Sequence, residues 1–167
     1  MNPARTIVTL RPMTLEDCLQ MGRWRADPRI APTLRTPPKS EAEQAVFYDT
    51  VVLHPVDHQY WAVVASASDE VPRVIGMGGL TFRRRVPGEA ELSLLLGPEY
   101  QGCGLGAAAV TALLDYAFGP GQLTAVVGEA YLEGGGAGFW EHLGRHQGWS
   151  LVRFGHSLFF RIERPPR

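Results

Sequence analysis

The residues best suited to chemistry in this sequence are the run Glu99-Tyr100-Gln101-Gly102-Cys103-Gly104-Leu105-Gly106, set between an apolar strand-like segment and an Ala/Leu-rich helical pattern. Glycines remove Cβ atoms, so several backbone N–H groups can converge on one anion, and a helix starting there adds the positive end of its dipole. The spacing therefore predicts a cradle for a ligand that carries phosphates. A Walker-type loop would need Lys followed by Ser or Thr after its last glycine, and Ala107 and Ala108 stand there instead. A dinucleotide fingerprint is met in spacing by Gly102, Gly104 and Ala107, with Glu129 downstream. Its context differs, because that fingerprint turns directly out of the first strand of a βαβ unit, whereas here about half the chain comes first.

The third pattern is Gln101-x-x-Gly104-x-Gly106 after the alternating segment Glu91-Leu92-Ser93-Leu94-Leu95-Leu96, and it resembles the acetyl-CoA loop of the GNAT acetyltransferases. The likeness extends to Leu10-Arg11-Pro12-Met13-Thr14-Leu15-Glu16-Asp17 and Trp24-Arg25-x-Asp27-Pro28, which look like the opening of the subgroup containing ribosomal-protein N-terminal and nucleotide-aminosugar N-acetyltransferases. With gaps, it covers most of the chain. It implies a GNAT-like acyl-CoA N-acyltransferase fold in which the end of the strand, Leu94, Leu95 and Leu96, offers backbone groups to the pantetheine arm. Gln101, Gly102, Cys103, Gly104, Leu105, Gly106 and Ala107 would then hold the pyrophosphate.

The implied activity is direct transfer of acetyl from acetyl-CoA, a cosubstrate, to a primary amine of a protein N-terminus, an aminosugar or a small molecule. Such chemistry needs a neutral amine, and an alkylammonium has a pKa near about 10, so a base or proton relay is required. Glu91 stands where many relatives place a carboxylate and is the candidate base; Glu89, one pleat away, is its substitute. Relatives commonly carry Asn at the start of the last major helix and Tyr seven residues later to protonate the CoA sulfur. Here Glu133 and Trp140 fall at those positions, where the resemblance implies contact with the cofactor. An indole N–H has no useful acidity, so the acid is unassigned, with Ser93, Tyr131, His142 and solvent as candidates. A non-catalytic acyl-CoA-binding module and a dinucleotide-binding protein are the alternatives.

The elements that must position these residues are legible in outline. A strand near Ile7 to Arg11 precedes a helix from the capping box Thr14-x-x-Asp17 to about Trp24. Pro28, Pro32, Pro37 and Pro38 force an extended linker of the kind that shapes an acceptor cleft or merely connects, before a second helix from Ser40-x-x-Glu43 to about Leu53. Tyr60 to Ala67 and Val74 to Phe82 read as a hairpin turned near Ser68-Asp69-Glu70. In the strand Glu89 to Leu96, Glu89, Glu91 and Ser93 share one face, and Ala90, Leu92, Leu94 and Leu96 the other. A helix from Gly104 to Phe118, a strand from Gln122 to Ala130, a short helix from Gly138 to Leu143 and a closing hairpin turned at Gly155 follow. The expected class is α+β, an α/β-like three-layer arrangement with a mixed, strongly twisted central sheet flanked by helices.

Composition bounds the rest. With 167 residues, 45% hydrophobic and 20% charged, one domain spanning residues 1–167 is expected. A net charge of −1 gives no case for nucleic acid or an anionic membrane. The one basic cluster, Arg83-Arg84-Arg85, reads as a solvated turn. Cys18 and Cys103 are too few for a disulfide framework, which with the absence of an export or membrane-spanning pattern points to the cytoplasm. His142 and His146 lie at helical spacing without a third ligand, so no metal is expected. The expected partner is a small-molecule or protein amine acceptor, and the expected state a monomer or homodimer.

Overall fold

A computed structural model describes residues 6–34, 36–67, 70–133 and 136–166. The strands are β1 (Ile7–Pro12), β2 (His58–Ser66), β3 (Arg73–Phe82), β4 (Glu89–Leu96), β5 (Ala125–Tyr131), β6 (Ser150–Phe154) and β7 (Ser157–Glu163). They form one seven-stranded sheet in the order β1-β2-β3-β4-β5-β7-β6. Every neighbouring pair is antiparallel except β4 with β5. A parallel pair needs a crossover, supplied by helix α3 (Leu105–Phe118).

Helix α1 (Leu15–Ala26) opens on the expected capping box, with the Thr14 and Asp17 side chains serving each other's backbone N–H. Asp17 is also gripped by Arg11 at 2.6 Å, so the cap is tied to β1. Helix α2 (Glu41–Phe47) has the same device in Ser40 and Glu43, and it continues as a π-turn over Tyr48–Val52. Cys18 of α1 and Phe47 of α2 pack with Ala62 and Met77, covering one face of β2 and β3. On the other face, Val110 and Leu113 of α3 and Trp140 of α4 (Gly136–Gln147) meet Leu80, Ala90, Leu92, Val126 and Phe160. The result is the α+β three-layer fold that the sequence implies.

Several boundaries differ from expectation for local reasons. Gln122 has φ +54, a left-handed conformation that ends any strand, so β5 begins only at Ala125. Helix α4 begins at Gly136 and runs on to Gln147, beyond the Gly138 to Leu143 span that the sequence suggests. Ser68 and Asp69 of the hairpin turn, with Gly134 and Gly135, lie outside the described residues. Among the described residues, no helix is long and apolar enough to cross a membrane.

Candidate active site

The site is built where β4 and β5 separate. Their pairing runs from Glu89 with Ala125 to Glu91 with Val127 and stops there. β4 nevertheless continues to Leu96 and β5 to Tyr131. Past Glu91, the edge of β4 that faces β5 is unpaired while its other edge stays bonded to β3 as far as Leu96. An unpaired edge inside a sheet is a template for an extended ligand carrying amide groups. Leu94, Leu95 and Leu96 lie along it, and Glu91 marks the vertex of the fork.

The loop after this edge has the geometry of an anion site. Gly102 (φ +74) and Gly104 (φ +83) turn the chain into α3, with Gly104 as an N-cap that offers no side chain. The backbone N–H groups of Gly102 and of Gly104 through Ala107 have no partner among the described residues, so they and the helix dipole are open to one anion. Gln101 closes the loop by donating from Nε2 to the Leu96 carbonyl at 3.2 Å. The Cys103 thiol points back to the Tyr100 carbonyl at 3.1 Å. Phe139 of α4 forms a wall, 3.0 Å from where a Cβ on Gly106 would sit.

One face of the fork gathers polar side chains. Thr81 pairs with Glu91, and Gly79 with Ser93, while His58 and Tyr60 occupy the matching positions of β2. Glu91 and Ser93 are exposed. A Cβ on Gly79 would lie 2.4 Å from the Tyr60 ring and 3.0 Å from the Ser93 Oγ, so phenol ring and hydroxyl converge over this glycine. His58 Nδ1 is 3.0 Å from the Thr81 hydroxyl. Burial pushes the Tyr60 phenol above its ordinary pKa and the Glu91 charge adds to this, opposed by the Thr81 hydroxyl and the Arg25 charge. Beside Glu91 lies an open groove of about 430 Å³ bordered by Val127, Glu129, Val152 and Phe159. A larger one, about 610 Å³, runs between α3 and the end of α4 and does not include Glu91.

The remaining sequence-derived candidates are dispersed. Glu89 is buried and held by Arg161 and by Arg83, the latter at 2.5 Å. Hydrogen bonding from Arg161 lowers its carboxyl pKa, with Arg83 assisting, against the opposing effect of burial. Tyr131 lies on β5 past the fork, half-buried. Glu133 is exposed, 3.4 Å from His156. Trp140 is buried and stacked on Phe160, ring centroids 4.5 Å apart, and packs edge-to-face with Phe139. His142 and His146 do meet, at 4.5 Å between ring centroids. No group of three or more His, Cys, Asp or Glu among the described residues is placed to hold a metal.

A model of the acetyltransferase (GNAT) domain matches residues 8–133. The chain belongs to the GNAT acetyltransferase family. Among solved structures, this GNAT chain is similar to spermidine N-acetyltransferase from Vibrio cholerae in complex with CoA and spermine, with 18% identity and a TM-score of 0.76 over 94% of this chain and 95% of that one. It is also similar to a domain from Methanocaldococcus jannaschii, with 14% identity and a TM-score of 0.75 over 95% of this chain and 99% of that one. At these identities the likeness is one of fold. A search of curated protein sequences returns no match.

Three contributors to this GNAT site escaped sequence reading. Trp24 packs on Gly97 and donates from Nε1 to Glu99 at 3.3 Å, fixing the start of the loop from 75 residues away. Tyr60 and Phe139 line it from β2 and α4. A signal existed for Tyr60, since glycines inside a strand, here Gly78-Gly79, mark close approach by a neighbour.

Proposed function

We propose that the protein is an acetyl-CoA-dependent N-acetyltransferase that transfers acetyl directly to a primary amine. The observation that carries this reading is the fork at Glu91, followed, after the free edge of β4 and one short turn, by N–H groups at a helix N-terminus that have no partner among the described residues. The residues present fit acetyl-CoA. The unpaired edge at Leu94–Leu96 suits the amides of the pantetheine arm, and the Gly102–Ala107 amides suit the pyrophosphate.

Acetyl-CoA supplies an acyl carbon activated by a thiolate leaving group. In the transfer, the C–N bond forms as the C–S bond breaks, one amine proton must leave and the thiolate must take one up. Glu91 is exposed at the vertex, where its carboxylate accepts the amine proton directly or through water. Glu89, engaged by two arginines, is a weaker base and serves to hold β4 to β7. The Ser93 hydroxyl lies on the Glu91 face and Tyr131 on β5; these remain the candidates for protonating sulfur. Trp140 acts in this reading by supporting Phe139, and Glu133 stays at the rim. The acceptor is the amine of a protein N-terminus, an aminosugar or a small molecule.

The burial of Trp140 at the position where relatives place their acid favours the alternative of an acyl-CoA-binding module without turnover. Calorimetry with acetyl-CoA and with NAD, followed by CoA release over a panel of amines, separates the readings. Binding of acetyl-CoA with amine-dependent CoA release supports the transferase, and tight binding without release supports the module.

A further inference from the structure

The consecutive residues Trp24 and Arg25 face the two halves of the site. About 100° of helical rotation separates them. Trp24 is directed to Gly97 and Glu99 at the cofactor loop, and Arg25 follows by one turn Met21, which packs against the same cluster as Tyr60 on the acceptor side of the fork. Arg25 differs from most of the described arginines. Arg11, Arg29, Arg84 and Arg161 each grip a carboxylate. Arg25 is half-buried, and no acidic group among the described residues pairs with it. Its hydrogen bonds run from Nη2 to the Thr36 hydroxyl at 2.6 Å and carbonyl at 3.2 Å, leaving the N–H groups of Nε and Nη1 without a partner among the described residues. Burial pushes the guanidinium below its ordinary pKa, with the Tyr60 phenol opposing, yet an arginine stays charged.

Two further observations place this cation at the acceptor. Tyr60 shares the space over Gly79 with Ser93, on the strand face that also carries Glu91, and the charges of both Glu91 and Arg25 act on its phenol. In sequence, the linker that follows carries Arg29, Arg35 and Lys39 against Asp27 alone. It reaches across to α4, where a Cβ on Gly136 would lie 4.0 Å from Thr33.

We propose that the acceptor amine belongs to a molecule that also bears an oxyanion, a carboxylate or a phosphate, and that Arg25 receives this oxyanion while the amine lies at Glu91. The inference rests on the transferase reading above. A guanidinium presents paired donors that match such groups, and a half-buried cation without a partner is stabilised when one arrives. A polyamine would instead bring positive charge against Arg25.

The test measures CoA release with acetyl-CoA and matched acceptors: glucosamine 6-phosphate against glucosamine, an amino acid against its amide, and spermidine. The expected result is a preference of about 10- to 100-fold in kcat/KM for the oxyanion-bearing member, the worth of a charge-assisted hydrogen bond. The two pairs distinguish phosphate from carboxylate. Arg25→Ala should raise KM for the favoured acceptor far more than for its neutral partner without changing acetyl-CoA affinity, and Arg25→Lys should recover part of the loss. Transfer indifferent to the oxyanion, a preference for spermidine, or equal losses for both members of a pair in Arg25→Ala would overturn it while leaving the transferase reading intact. Acetyl-CoA binding with no transfer to any amine would overturn both.

Discussion

The Trp24 indole occupies the space that a side chain at Gly97 would need, because a Cβ there would lie 2.6 Å from the Trp24 Cε2. Helix α1 is thereby locked to the turn that leads from β4 into the Gly102–Gly106 loop. Gly97→Ala should cost about 1–3 kcal/mol through overpacking. It should also weaken acetyl-CoA binding, because Trp24 and Glu99 must shift together. Thermal melting and calorimetry on the same variant read both effects. A destabilised variant with unchanged affinity would show that the lock does not reach the loop.

At Gly104 the requirement is backbone conformation. Its φ of +83 costs a residue with a Cβ about 1–2 kcal/mol, more if β-branched. If the loop N–H groups hold pyrophosphate, Gly104→Val should lower acetyl-CoA affinity about tenfold or more in a folded protein. Unchanged affinity by calorimetry would remove the loop from the binding site.

Glu91 and Glu89 differ by one pleat and should differ in kind. Glu91→Gln should lower kcat by about two to four orders of magnitude, the usual span for loss of a general base, with acetyl-CoA affinity retained. Steady-state rates near neutral pH provide the comparison, and full activity would move the proton route to water.

Glu89→Gln should instead appear in stability. The Glu89 carboxyl is held below its ordinary pKa by Arg161 and Arg83. A depressed folded pKa stabilises fully above the unfolded value, about 4.3, and the contribution is lost as pH falls through the folded value. Urea midpoints between neutral and acid pH should therefore fall for the wild type, and fall less for Glu89→Gln, which starts lower. Parallel curves would deny Glu89 this role.

The two cysteines give a probe of the loop. Cys18 is fully buried and its thiol is pushed up to about 12, first by burial and then by the Asp17 charge, so it should resist alkylation in the folded state. Cys103, half-buried between Gly102 and Gly104, should react with iodoacetamide and be protected by saturating CoA. Peptide mapping with equal Cys103 labelling in both conditions would argue that CoA lies elsewhere.

The sequence by itself determined the elements and the loop, because these depend on local physics. Capping boxes at Thr14 and Ser40, alternation from Glu89 to Leu96, and glycines ahead of a helical pattern each act over a few residues, and the structure retains all of them. Only the tertiary structure decided where the loop's supports and the acceptor side lie. That Glu91 is the last β4 residue paired with β5 depends on strand divergence. That Trp24 meets Gly97 depends on helix-to-turn packing, and that Arg25 has no carboxylate partner among the described residues depends on the chain segments around it. Contacts between distant segments carry no local periodicity, so Glu89 and Glu91, equivalent in the pattern, acquired different partners only when β7 brought Arg161 beside one of them.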